Sequence, residues 1–128
     1  MSDFKTLLAV GDLASPKMST ISGTDKIANA AKRMLQENAS SLLVLEADGK
    51  LVGIVTEQDI VYRAVAKDVD LNKMDVTHIM TPNPVKIAAD ESIFEAKKLM
   101  LDNKVNHLIV VNDGKPVGIL TSQTIMGS

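Results

Sequence analysis

Apolar positions along the chain recur with two different periods, and the alternation between them sets out the elements. Ile27, Ala30, Ala31, Met34 and Leu35 fall at i, i+3, i+4, i+7 and i+8, one face of an amphipathic helix. Ile93, Ala96, Met100 and Leu101 repeat most of that stripe. The runs Leu42–Leu45 and Leu108–Val111 barely alternate, which predicts strands covered on both faces. Strands are expected over Leu42–Glu46 and Leu51–Thr56, and again over Leu108–Asn112 and Pro116–Thr121. Asp48-Gly49 and Asp113-Gly114 supply the positive-φ pair that a tight hairpin needs. Short extended pieces, Met18–Ile21 and Val85–Ala88, lead into the amphipathic helices, with Thr24 and Asp90 as expected N-caps. Ahead of them two lead-in helices are predicted. One runs from Phe4 to about Leu13, capped by Ser2 or Asp3; the other runs from Leu71 to about Met80, capped by Asp70. Pro16, Pro82 and Pro84 stop them. A final helix is expected from Thr56 to about Lys67, with a short counterpart from Thr121.

The same order occurs twice. At a shift of 66 residues Val10 falls on Val76, Pro16 on Pro82, Ile21 on Ile87, Ile27 on Ile93 and Met34-Leu35 on Met100-Leu101. One residue is lost near Ala47, and at a shift of 65 Asp48-Gly49-Lys50 matches Asp113-Gly114-Lys115 and Val52-Gly53-Ile54 matches Val117-Gly118-Ile119. Identities in one order with a single gap indicate a tandem duplication. The division this implies is a first repeat with its lead-in over 1–67, a connector over 68–75 and a second repeat over 76–128.

Composition narrows the function classes. With 45% hydrophobic and 23% charged residues and a mean hydropathy of +0.10, the 128 residues suit one compact soluble protein. No apolar run approaches the ~20 residues of a membrane span. The N-terminus has no basic stretch leading into an apolar one, so a cytoplasmic location is expected. There is no cysteine, hence no disulfide, thiol nucleophile or thiolate metal site. A net charge of −2, scattered cations and only Phe4, Tyr62 and Phe94 as aromatics give no footprint for nucleic acid. His78 has no second His nearby and no Cys, and neither His78 nor His107 has a triad context in the sequence, so no metal and no catalytic residues are expected.

The candidate chemistry sits where the last strand of each repeat turns into a helix. Gly53-Ile54-Val55-Thr56-Glu57-Gln58-Asp59 has its echo in Gly118-Ile119-Leu120-Thr121-Ser122-Gln123-Thr124, and only the first ends on a carboxylate. Thr56-x-x-Asp59 is a capping box, which many ordinary helices carry. The second copy keeps the hydroxyl and drops the acid, so the fold does not need an acid there. A carboxylate also accepts two hydrogen bonds side by side. Arg63, four residues after Asp59, is an i,i+4 ion-pair partner.

The β-α-β-β-α order, the Asp-Gly hairpin, the closing Gly-Ile-Val-Thr-x-x-Asp and the lead-in Ile79-Met80-Thr81-Pro82 together resemble the cystathionine-beta-synthase (CBS) domain, twice over, at Val10–Ala66 and Val76–Met126. The resemblance implies an α/β (α+β) fold in which two repeats pack sheet to sheet into one pseudo-twofold module. It further implies a regulatory function: an adenine nucleotide, AMP first and then ADP or ATP, bound in a cleft between the repeats, with no obligatory cofactor and no enzymatic activity. Thr56 and Asp59 would face phosphate and ribose. Ser40 and Ser41, Val85, Asn106 and His107 would complete the first cleft, and Thr121, Thr124 and Ser19 would line a weaker second one. Signalling would pass by conformational linkage to an effector protein, and a homodimer is expected. The alternatives are S-adenosylmethionine or another adenosyl ligand, or a ligand-free dimerisation scaffold.

Overall fold

A computed structural model describes residues 8–126, and within it the chain forms two compact units. One comprises residues 19–84, the other residues 8–18 together with 85–126. These are not the sequence repeats. Each lead-in packs in the unit built from the other repeat.

In the unit of residues 19–84, β1 (Thr20–Ser22) runs parallel to β2 (Ser41–Leu45), which is antiparallel to β3 (Leu51–Thr56). Strand β4 (Thr81–Pro82), from the second lead-in, adds antiparallel to β3 through Gly53↔Pro82 and Ile54↔Thr81. Helix α2 (Ile27–Glu37) covers one face, where Ile27, Ala30 and Met34 meet Ile21, Leu42, Val44 and Val55. Leu43 and Ile54, on the opposite face, are buried as well, as the non-alternating pattern requires. In the other unit β5 (Lys86–Ala88), β6 (His107–Asn112) and β7 (Lys115–Thr121) repeat the arrangement, with α4 (Ile93–Asn103) against Leu108, Val110 and Leu120. The first lead-in supplies α1 (Val10–Leu13) and two isolated bridges, Ala9↔Ser92 and Ser15↔Ile119, the second being the counterpart of Thr81↔Ile54.

That crossing explains the glycine of the repeated motif. A Cβ on Gly118 would lie 2.7 Å from the Ser15 carbonyl oxygen, and one on Gly53 would lie 2.9 Å from that of Thr81. Only a residue without a side chain lets the lead-in backbone approach so closely. The lost residue is also accounted for. The first hairpin closes through Glu46 and Lys50 around three residues, with Gly49 at φ 85°. The second pairs Asn112 with Lys115 around Asp113-Gly114 alone, both at positive φ.

Several expectations are corrected. The second lead-in is not one helix: turns over 70–74 precede a single 3₁₀ turn, Val76–His78. The carbonyls of Leu71 and Met74 accept from the Ala28 and Ile27 amides of α2, so they serve that helix's start. For the same reason α2 begins after Lys26, without a side-chain cap, and Thr24 bonds Ser22 in a turn instead. Helix α4 is capped by Ser92, not Asp90. The helix after Thr56 is one α-turn, α3 (Glu57–Asp59), that widens into a π-helix over Ile60–Val65. The proposed caps Ser2 and Asp3 lie outside the described residues. Part of each apolar stripe faces away from the core: Leu35 is 85% exposed and Leu101 is 78% exposed.

Candidate ligand site

Each unit presents one corner where the first hairpin strand begins and the second ends, because the hairpin register sets those ends side by side. In the unit of residues 19–84, Ser41 pairs with Thr56 across the ladder, and the Ser40 carbonyl accepts from the Glu57 amide at 3.2 Å. Ser19 is buried there, its carbonyl holding Leu43 N at 2.9 Å and its hydroxyl donating to Glu37 Oε1 at 2.6 Å. In the other unit His107 pairs with Thr121. The Asn106 carbonyl accepts from Ser122 N at 3.0 Å, and the Val85 carbonyl accepts from Ile109 N at 3.0 Å. Ser19, Ser40, Ser41, Thr56 and Asp59 thus share one unit, whereas Val85, Asn106, His107, Thr121 and Thr124 share the other.

The cap pairs of the two corners, Thr56 with Asp59 and Thr121 with Thr124, differ at their second member. In the first, Thr56 Oγ1 accepts from the Asp59 amide at 3.2 Å, and Asp59 Oδ2 accepts from the Thr56 amide at 2.9 Å and from its hydroxyl at 3.1 Å. The capping box is complete. In the second, Thr121 Oγ1 accepts from the Thr124 amide at 3.1 Å, and the two hydroxyls lie 3.0 Å apart. A hydroxyl cap therefore starts the helix in both copies, with or without the acid. What Asp59 adds is its second oxygen, Oδ1, on a carboxylate that is almost fully buried.

Arg63 occupies that side. Its Nε stands 3.5 Å from Asp59 Oδ1, and its Nη1 donates to the carbonyls of Ile79 and Met80, each at 3.3 Å. Spacing predicts the ion pair. The bond to residues 79–80 has no signal in the sequence, because it depends on where the second lead-in packs. The Ser19–Glu37 bond is equally unforeseen. Gln58 and Gln123 are exposed, as is His78, and no cluster of metal-ligating groups exists among the described residues.

A mixed α/β module with two sheets, each β-α-β-β-α repeat ending in a capped helix start, defines a tandem domain pair. The chain belongs to the CBS domain family, which matches it at residues 10–66 and 76–128. It is 32% identical over 104 residues to the CBS domain-containing protein CBSCBSPB5 of Arabidopsis thaliana, covering 81% of this chain but only 19% of that relative's length. Among solved structures, an uncharacterized conserved protein from Pyrococcus horikoshii superposes with a TM-score of 0.89 at 23% identity, over 95% of this chain and 92% of the other. The CBS domain pair of protein MJ0100, solved in complex with 5′-methylthioadenosine and S-adenosyl-L-methionine, superposes with a TM-score of 0.83 at 32% identity, over 94% of each chain.

Proposed function

We propose that this chain is a non-catalytic sensor that binds an adenosine-containing ligand, AMP first among them, through the corner of Thr56 and Asp59. The observation that carries the reading is the difference between the corners: the fold keeps its hydroxyl cap in both copies, yet a buried carboxylate is spent on only one. A ribose offers two adjacent hydroxyl donors, and a carboxylate is the side chain that accepts both. The adenosyl ligands of the MJ0100 pair contain the same ribose, which supports an adenosyl ligand here without choosing among them. Ser40 and Ser41 are proposed to add neutral hydrogen bonds. Val85, Asn106 and His107 are proposed as further contributors, and Thr121, Thr124 and Ser19 as the weaker set. The duplicated unit in this reading remains 1–67 and 76–128 joined by 68–75. A cytoplasmic location goes with it.

The test is a melting-temperature panel of AMP, ADP, ATP, S-adenosylmethionine and 5′-methylthioadenosine. A ligand present at 100 times its Kd adds about 2.7 kcal/mol of stability. Asp59→Ala should abolish the shift, Thr124→Ala should leave it, and a 2′-deoxy analogue should bind worse. No shift with any of the five at millimolar concentration sinks the reading, and turnover in a nucleotide-hydrolysis assay sinks the non-catalytic part.

A second reading, an assembly module that binds no small molecule, is favoured by the apolar side chains left outside the cores. Phe94 and Met126 join Leu35 and Leu101 in exposure. We propose that these faces pair in a homodimer whether or not a ligand is bound, with an effector protein as the recipient of the signal.

A further inference from the structure

Asp59 is held from two sides that differ in kind. On Oδ2 the amide and hydroxyl of Thr56 form short, local hydrogen bonds within one helical turn. On Oδ1 the only partner among the described residues is the Arg63 guanidinium at 3.5 Å. That guanidinium is not committed to Asp59 alone, since Nη1 reaches the carbonyls of Ile79 and Met80 at 3.3 Å. Those two residues immediately precede β4, which pairs with Gly53 and Ile54 on the strand that ends at Thr56. Two residues after β4 comes Pro84, the last residue of this compact unit. The candidate ligand carboxylate is therefore joined, through one side chain, to the backbone by which the chain leaves the unit.

We propose that Arg63 is a positioning residue that ties Asp59 to residues 79–80, and that a ligand on Asp59 Oδ1 loosens this tie. The relative strengths set the direction. A ribose hydroxyl on a nearly buried carboxylate makes a charge-assisted hydrogen bond, whereas the ion pair at 3.5 Å involves a half-exposed arginine screened by water. The hydroxyl takes the oxygen and the arginine gives way. The surrounding π-helix is the kind of widened turn found at functional sites, and Arg63 lies within it. The second unit has Thr124 where Asp59 stands, so it lacks the carboxylate end of this tie. Among the described residues, only the first corner carries this tie.

The inference of loosening rests on the ribose reading of Asp59, but the tie itself does not, and hydrogen exchange of the whole chain separates the two. In ligand-free protein, Arg63→Gln and Asp59→Asn should each speed exchange of the Ile79 and Met80 amides by about two- to tenfold, the range expected from losing one or two modest hydrogen bonds. The double variant should add little to either. With AMP at saturation, verified by calorimetry, the wild type should show faster exchange at 79–80, against the protection that ligands ordinarily confer. Arg63→Gln should still bind AMP and show no further change. Unchanged exchange in ligand-free Asp59→Asn would overturn the tie. Protection or no change at 79–80 in AMP-saturated wild type would overturn the loosening. Absence of AMP binding to wild type would instead overturn the AMP reading, leaving the ligand-free comparison to decide the tie.

Discussion

Placing a methyl group on Gly118 sets two effects of opposite sign against each other. Gly118 lies within β7, outside the left-handed region, so alanine is free to adopt its backbone. Replacing a glycine in a strand should by itself stabilise by roughly 0.5–1 kcal/mol through lost unfolded-state entropy. The new Cβ would, however, stand 2.7 Å from the Ser15 carbonyl oxygen and 3.3 Å from the Ala14 Cβ. The oxygen belongs to backbone that also exchanges two hydrogen bonds with Ile119, each 2.9 Å, and it cannot swing aside. Overpacking of this kind costs about 1–3 kcal/mol, so the clash outweighs the entropy gain. At about 4 °C per kcal/mol for a chain of this size, Gly118→Ala should lower the melting temperature in calorimetry by about 5 °C at the middle of these ranges and by at most about 10 °C. It should also speed exchange of the Ser15 amide. Gly53→Ala should destabilise as well, because its Cβ would stand 2.9 Å from the backbone carbonyl oxygen of Thr81 besides crowding the Met80 sulfur. Gly114→Ala separates steric from conformational cost: it has open space around it but a φ of 78°. If Gly118→Ala melts at the wild-type temperature and Ser15 exchange does not move, the first lead-in does not cross β7 as described.

Ser92→Ala should destabilise by about 0.5–2 kcal/mol through loss of the α4 cap, whereas Asp90→Ala should change little; thermal melts of the two variants check this. Asp59→Ala should destabilise the ligand-free protein by about 1–3 kcal/mol, because the Thr56 amide loses its acceptor. A melt without nucleotide measures that cost apart from any loss of binding. Leu35→Asp with Leu101→Asp should shift the protein from dimer to monomer in analytical ultracentrifugation with little loss of fold, since both side chains lie outside the cores. An unchanged sedimentation coefficient would refute the dimer face.

How much of the molecule was legible depended on the range of the interactions involved. The duplication, the hairpins and the amphipathic helices are written in neighbouring residues. Even the one-residue gap near Ala47 corresponds to the difference between a three-residue and a two-residue hairpin turn. The corner of Thr56 and Asp59 was readable because a capping box spans only four residues. The cap at Thr24 was misread for the opposite reason: it is a good N-cap residue type, but the first amides of α2 are met by the carbonyls of Leu71 and Met74, more than 40 residues away. At α4 the choice was local, and Ser92 rather than Asp90 stands three residues before the amide it caps, that of Glu95.

The sequence by itself determined that two equivalent β-α-β-β-α units exist, that each starts its last helix on a hydroxyl, and that only one carries an acid there. These are local facts of period, turn chemistry and capping. The tertiary structure alone decided that each lead-in packs with the other repeat's sheet, that Gly53 and Gly118 exist to admit it, and that Arg63 joins Asp59 to residues 79–80. Those depend on a backbone crossing at close range between segments distant in sequence. No periodicity encodes such a crossing, because its signature is the absence of a side chain.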